Sequence, residues 1–230
     1  MKDARDTRMG DAHTRAARTK RDRTRRALLD SAAAAFSARG WLQTRVEDVA
    51  AAAGVSTATA YNHFPTKHAL IGHVYAPLVG PVLAQAAIDL DQGRPVVDAL
   101  IDHIGALTRV CWRYRALTAA FCAAAQDYTI RVGGPPRPDD EQDPRILVPL
   151  TSAIHGLVTY GQLAGALHAY PPATEISGFI INLLLIRSIN RPHEPHEQAA
   201  ELLLTMLFGA LRPELLVAGG AAGRPFRRTG

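Results

Sequence analysis

The residues of this chain that could do chemistry fall into two groups. The first is a short run of hydrogen-bonding side chains, Thr57, Thr59, Tyr61, Asn62 and His63, interrupted by Ala58 and Ala60. An Asn amide can bond two positions of adenine at once, and a Thr offers its methyl to thymine or its hydroxyl to a base edge or a phosphate. So many short polar groups with so little charge suit a helix that enters a major groove. A solvated surface helix has the same composition, so the run alone leaves both readings open.

The second group comprises thiols and imidazoles. Cys111, Cys122, His103 and His155 are soft or borderline metal ligands, and His193 and His196 flank Glu194-Pro195 in a turn. Their spacing is not that of a metal clip, and two cysteines in apolar helical surroundings read as small core residues. A metal-responsive sensor therefore stands only as an alternative. The chain has no P-loop, dinucleotide glycine fingerprint, zincin His pair or nucleophile elbow. It is not expected to be an enzyme, and nothing in it implies a cofactor.

These groups must be positioned by helices. The 230 residues are 47% hydrophobic, rich in Ala and Leu, and nowhere alternate strictly over the length of a strand. That composition predicts an all-α protein of about nine helices. A first helix starts at Arg23, carries Leu29, Ala32, Ala33 and Phe36 on one face, and ends at Gly40. Thr44 and Glu47 have capping-box spacing ahead of the stripe Val46, Val49, Ala50 and Ala53. Gly54 permits a sharp turn, Ser56 can cap a helix over residues 57–63, and Phe64-Pro65 closes it. Thr66 then caps a fourth helix, expected to bend or break near Pro77 and Pro81. A fifth follows Pro95, a sixth carries Leu117 to Tyr128, and a Pro-rich acidic loop spans residues 133–144. A seventh is expected from Arg145 to Ala169, before Pro171-Pro172. The last two, near residues 174–190 and 195–211, are apolar around most of their circumference, as helices covered on two sides are.

Charge is uneven. Residues 1–26 hold ten Lys or Arg against four Asp, and the remainder holds sixteen against seventeen acids. Such a basic start points to a nucleic-acid or membrane partner, or to a solvated tail. No apolar h-region follows it, and the apolar run from Ile176 to Ile186 is too short to span a bilayer. A soluble, cytoplasmic chain is expected.

Two short helices around a Gly-containing turn, behind a supporting amphipathic helix, are the layout of a helix-turn-helix. Here the sequence resembles the tetracycline-repressor (TetR) family. The matching positions are Thr44, Val49-Ala50, Ala53-Gly54-Val55-Ser56, Thr59, Tyr61, Phe64, and Lys67 after Thr66. The preceding helix, with Phe36, is similar to that family's first. The resemblance covers residues 23–75, about a quarter of the chain. Ala58 stands where Gly is common and Ala60 where a larger aliphatic residue is common. The resemblance implies that Thr57, Ala58, Thr59 and Asn62 face base edges, Tyr61 and His63 touch backbone or sugar, and Thr44 and Lys67 meet phosphates. Arg45 is a further phosphate candidate, and for His63 packing against the fourth helix is an equal alternative.

Residues 1–22 read as a disordered basic arm because they lack periodicity, and residues 212–230, rich in Gly, Ala and Arg, as a flexible tail; between them the resemblance implies a DNA-binding domain at 23–68 and a ligand-binding and dimerisation domain at 69–211. The expected function is a repressor that binds a near-palindromic operator as a homodimer and is released by a small apolar effector. A ligand-independent DNA-binding protein is the alternative. Candidate pocket residues are Ile104, Cys111, Trp112, Phe121, Cys122, Tyr128, His155, Thr159 and Tyr160, which core packing would explain equally well. Phe179, Leu183, Leu203 and Leu207 are candidates for the dimer interface, although so uniform a pattern does not say which Leu faces outward.

Overall fold

A computed structural model describes residues 3–212, with backbone only for the first dozen of them and for residues 16 and 17. All its regular elements are helices: α1 (Asp3–Gln43), α2 (Val46–Ala52), α3 (Thr57–His63), α4 (Lys67–Asp91), α5 (Val96–Arg113), α6 (Arg115–Val132), α7 (Pro144–Leu147), α8 (Leu150–Leu163), α9 (Ala173–Asn190) and α10 (His196–Leu211). The tail expected to be flexible lies, apart from Arg212, outside the described residues.

Three expectations about elements are corrected. The arm over residues 1–22 is helical from Asp3 onward, continuous with α1. It lacks an apolar stripe, so periodicity could not reveal it, yet its Ala, Arg and Lys residues are strong helix formers that extend an existing helix cheaply. α4 runs through Pro77 and Pro81 without a break. The expected seventh helix is two, giving ten among the described residues where about nine were expected. Pro149 has no N–H and drives the preceding Val148 out of helical backbone, to φ −134 and ψ 78. It also stops at Leu163 rather than Ala169, because Gly165 takes a positive φ of 73° and the Leu167 N–H returns to the Gly161 carbonyl at 3.0 Å.

The chain forms two compact units. The first comprises Met1–Gly80 and Val110–Pro149, the second Pro81–Arg109 with Leu150–Gly230. In the first, α1 packs on α6 and on α2, and α2 on α3. Its core contains Leu28, Phe36, Phe64, Leu70, Ile71 and Tyr75, all essentially inaccessible. α4 is long and apolar enough to cross a membrane by length and composition. Ala69, Leu70, Ile71, Val74, Tyr75 and Val79, all in its first half, are buried among the chain's own residues.

In the second unit α8 packs on α9 and α9 on α10. The buried stripe of α10 is Ala199, Ala200, Leu203, Leu207 and Leu211. Leu203 and Leu207 are therefore corrected as interface candidates: both are 0% exposed inside their own subunit. Phe179, at 50%, and Ile186, at 45%, face outward on α9, with half-buried Leu183 beside them, and Met206 faces outward on α10.

Gly161 is where α8 is most closely approached. A Cβ there would lie 2.6 Å from Leu167 Cδ1 and 3.1 Å from Val96 Cγ1, both on buried side chains. Gly161→Ala should lower stability by about 1–3 kcal/mol through overpacking, measured as the urea midpoint at unchanged m. An unshifted midpoint would show that Leu167 yields freely.

Candidate nucleic-acid interface

Local chemistry fixes the angle between α2 and α3. At the end of α2 the Gly54 N–H bonds the Ala51 carbonyl at 3.1 Å and the Val55 N–H bonds the Ala50 carbonyl at 3.0 Å. This Schellman closure needs a left-handed residue, and Gly54 supplies it at φ 70°. Ser56 then opens α3, its hydroxyl accepting the Thr59 N–H at 3.1 Å and bonding the Thr59 hydroxyl at 2.8 Å. Val46, Val49, Ala50, Ala60 and Phe64 anchor the pair in the core. The expected N-cap of α4 is present, with Thr66 Oγ1 accepting the Ala69 N–H at 3.1 Å.

This anchoring leaves a polar face outward. Arg45, Ala58, Tyr61 and Asn62 are exposed, and Thr57, Thr59 and His63 are half-buried. The Tyr61 hydroxyl donates to Glu47 Oε1 at 3.3 Å, tying α3 back to α2. Burial, then the charges of Arg21 and Arg25, hold the His63 imidazole below its usual pKa. The Arg25 guanidinium lies 4.5 Å over the Phe64 ring, and Arg39 pairs with Asp48 at 3.2 Å. Sequence reasoning counted these arginines only as charge. The spacing of Arg18, Arg21 and Arg25, three and four residues apart, was the signal that they share a helix face.

Two proposed phosphate contacts are placed differently from expectation. Thr44 is 2% exposed, and its hydroxyl donates toward the Gly40 carbonyl at 2.7 Å and the Ala35 carbonyl at 3.2 Å. It fastens the end of α1 rather than closing a capping box, and the N-cap of α2 is Arg45, without a side-chain bond. The Lys67 ammonium donates to the Trp41 carbonyl and sits 4.1 Å over the Trp41 ring, and burial lowers its pKa. Lys67→Met should therefore reduce thermal stability by about 1 kcal/mol and leave the salt slope of DNA binding unchanged. A slope reduced by about one would restore the phosphate role.

The candidate pocket residues divide between the two units. Cys111, Trp112, Phe121, Cys122 and Tyr128 belong to the first unit, and Ile104, His155, Thr159 and Tyr160 to the second. In the first, Tyr75 stacks on Phe121 at 4.8 Å and its hydroxyl bonds Thr118 at 2.8 Å, so these side chains are packed together. Burial pushes the Cys111 thiol up to about 12, where it stays protonated. Tyr128 donates to Asp140 and packs edge-on against His68, which itself bonds Asp127 at 2.8 Å. In the second unit Ile104 is fully buried, whereas Tyr160 is 45% exposed and His155 is exposed. His155 falls on the side of α8 away from Ala153 and Leu157, and Tyr160 lies at the edge of that buried stripe. No group of three His, Cys, Asp or Glu among the described residues is placed to hold a metal ion.

A rigid turn, a capped second helix and an outward polar face on that helix define a helix-turn-helix regulator. Residues 28–74 match the family model described as bacterial regulatory proteins, tetR family. No curated protein matches. The fold is shared with a TetR-family repressor, FadR from Thermus thermophilus, solved with lauroyl-CoA: 20% identity over 90% of this chain and 100% of that one, TM-score 0.59. It is shared with the fatty acid degradation regulator FadR from Bacillus halodurans, at 14% identity over 82% and 96%, TM-score 0.61. The ketosteroid regulator KstR2 of Mycobacterium tuberculosis aligns at 21% identity over 80% and 93%, TM-score 0.55.

Proposed function

We propose that the chain is a cytoplasmic transcriptional repressor that binds a near-palindromic operator as a homodimer and is released by a small molecule. The observation that carries the DNA-binding part is the outward face of α3, with Asn62 and Ala58 exposed on a helix whose entry is fixed by Gly54 and Ser56. Asn62, Thr57, Thr59 and Ala58 are the proposed base readers, and Tyr61, His63 and Arg45 the backbone contacts. The outward apolar side chains of α9 and α10 support the dimer, since a two-fold axis covers them symmetrically and sets the spacing of two reading heads. Release requires that the ligand bind better to a conformation whose heads no longer match successive major grooves.

A relative of the same fold holds lauroyl-CoA, an apolar chain of the kind first expected here. The packed Tyr75–Phe121–Thr118 cluster favours a second reading, a ligand-independent regulator. An open cavity elsewhere in the chain favours the first. Selection of bound duplexes from random DNA tests the proposal: a two-fold symmetric motif with half-sites about one helical turn apart is expected. Recovery of unrelated sequences would refute it.

A further inference from the structure

We propose that a cavity between α4 and α5 binds a dipolar small molecule, an amine–carboxylate compound of short-peptide length, with its cationic end at Asp102 and its carboxylate at Arg109. The cavity has a volume of about 440 Å³, and its lining includes Gln85, Asp89, Arg94, Asp102, His103 and Arg109. It deepens the reading of the chain as a ligand-released regulator, and depends on that reading only for its effect on DNA.

The charges of the lining are separated along α5. Arg94 lies between two carboxylates, with Nη1 3.4 Å from Asp89 Oδ2 and Nη2 bonded to Asp102. Asp89 is 4% exposed and also accepts from Gln85 Nε2 at 3.0 Å. One cation against two anions leaves this end negative, and the Asp102 side chain, 63% exposed, is its accessible part. Arg109 follows seven residues later, two helical turns or about 10 Å along the axis, and makes no ion pair or hydrogen bond among the described residues.

His103 directly follows Asp102 and lies on the inner side of the same helix, beside the negative end. It is 4% exposed, and neither ring nitrogen has a hydrogen-bond partner. Burial, opposed by the Val82 carbonyl that faces one ring N–H and by Asp89, takes the imidazole down to about 4, so the neutral ring keeps its acceptor nitrogen unmet. Buried polar groups are normally satisfied, and each exception asks for a partner. An amide or hydroxyl of the ligand close to its cationic end supplies one. A carboxylate without an amine leaves the negative end unmatched, an amine without a carboxylate leaves Arg109 unmatched, and an alkyl chain leaves all three.

The test uses the full chain, with ω-amino acids of four to ten carbons and oligoalanines of two to four residues as probes. Octanoate and octylamine are the single-ended comparisons. Calorimetry should show the best dipolar probe binding at least about tenfold more tightly than either single-ended compound. Arg109→Gln and Asp102→Asn, both at exposed positions, should each remove that preference with helicity unchanged. His103→Phe should remove any advantage of an oligoalanine over an ω-amino acid of equal length. Equal or weaker binding of every dipolar probe, or full binding by Arg109→Gln, would overturn the assignment. Operator affinity at saturating probe separates the two claims. A probe that binds through Arg109 without changing DNA affinity upholds the site and refutes release from it. Release by octanoate, unaffected by Arg109→Gln, refutes the site and upholds release.

Discussion

Asn62→Ala is expected to cost about 1–3 kcal/mol per half-site, roughly doubled across a symmetric dimer, and to relax preference at one base pair in each half. Asn62 is exposed near the end of α3, and no side-chain hydrogen bond to the other described residues holds it back. Folding stability should change by only a few tenths of a kcal/mol, with Ala the better helix former. Tyr61→Phe is a useful comparison, since it removes only the bond to Glu47 and should leave base preference intact. The check is equilibrium binding to the operator and to its single-base variants at fixed salt. Equal losses on operator and random duplex would mean that Asn62 touches the backbone and that another residue reads the base.

A charge on the outward face of α9 should have the second large effect. Phe179→Asp or Leu183→Asp would bury an unpaired carboxylate in a dimer, at about 3–5 kcal/mol for each copy. The expected result is a folded monomer that no longer holds the palindrome. Leu203→Asp is the contrasting case: Leu203 is 0% exposed within its own subunit, so the same charge should abolish folding. Sedimentation with circular dichroism distinguishes these outcomes. Phe179→Asp protein that remains a dimer at micromolar concentration and still binds would move the interface off α9.

The reading head was legible because its signals are local. Gly54, Ser56 and Thr66 each specify one backbone event within four residues of themselves, and all three events occur. Phe36 and Val49 could be assigned to the core from spacing alone. Where the partner of a side chain is distant in sequence, the reading failed. Thr44 looked like a cap for α2, but its hydroxyl turns back to the Gly40 and Ala35 carbonyls of α1. Lys67 looked like a phosphate ligand until Trp41, twenty-six residues earlier, was seen to hold it. In α10 the run of three Leu at 202–204 has no polar contrast to reveal its inner face, so Leu203 could not be told from its neighbours. Charge pairs set by the packing of α4 on α5 were equally hidden, and neither Arg94 nor Arg109 drew notice.

The central claim, that α3 on a two-fold dimer reads DNA sequence, is tested most directly by one titration. The full chain is titrated with its selected duplex and with a shuffled duplex of equal length, across a range of salt. The account predicts at least about a thousandfold preference for the selected sequence at physiological salt, one dimer per duplex, and affinity for both falling as salt rises. Equal affinity for the two duplexes at every salt concentration would contradict it.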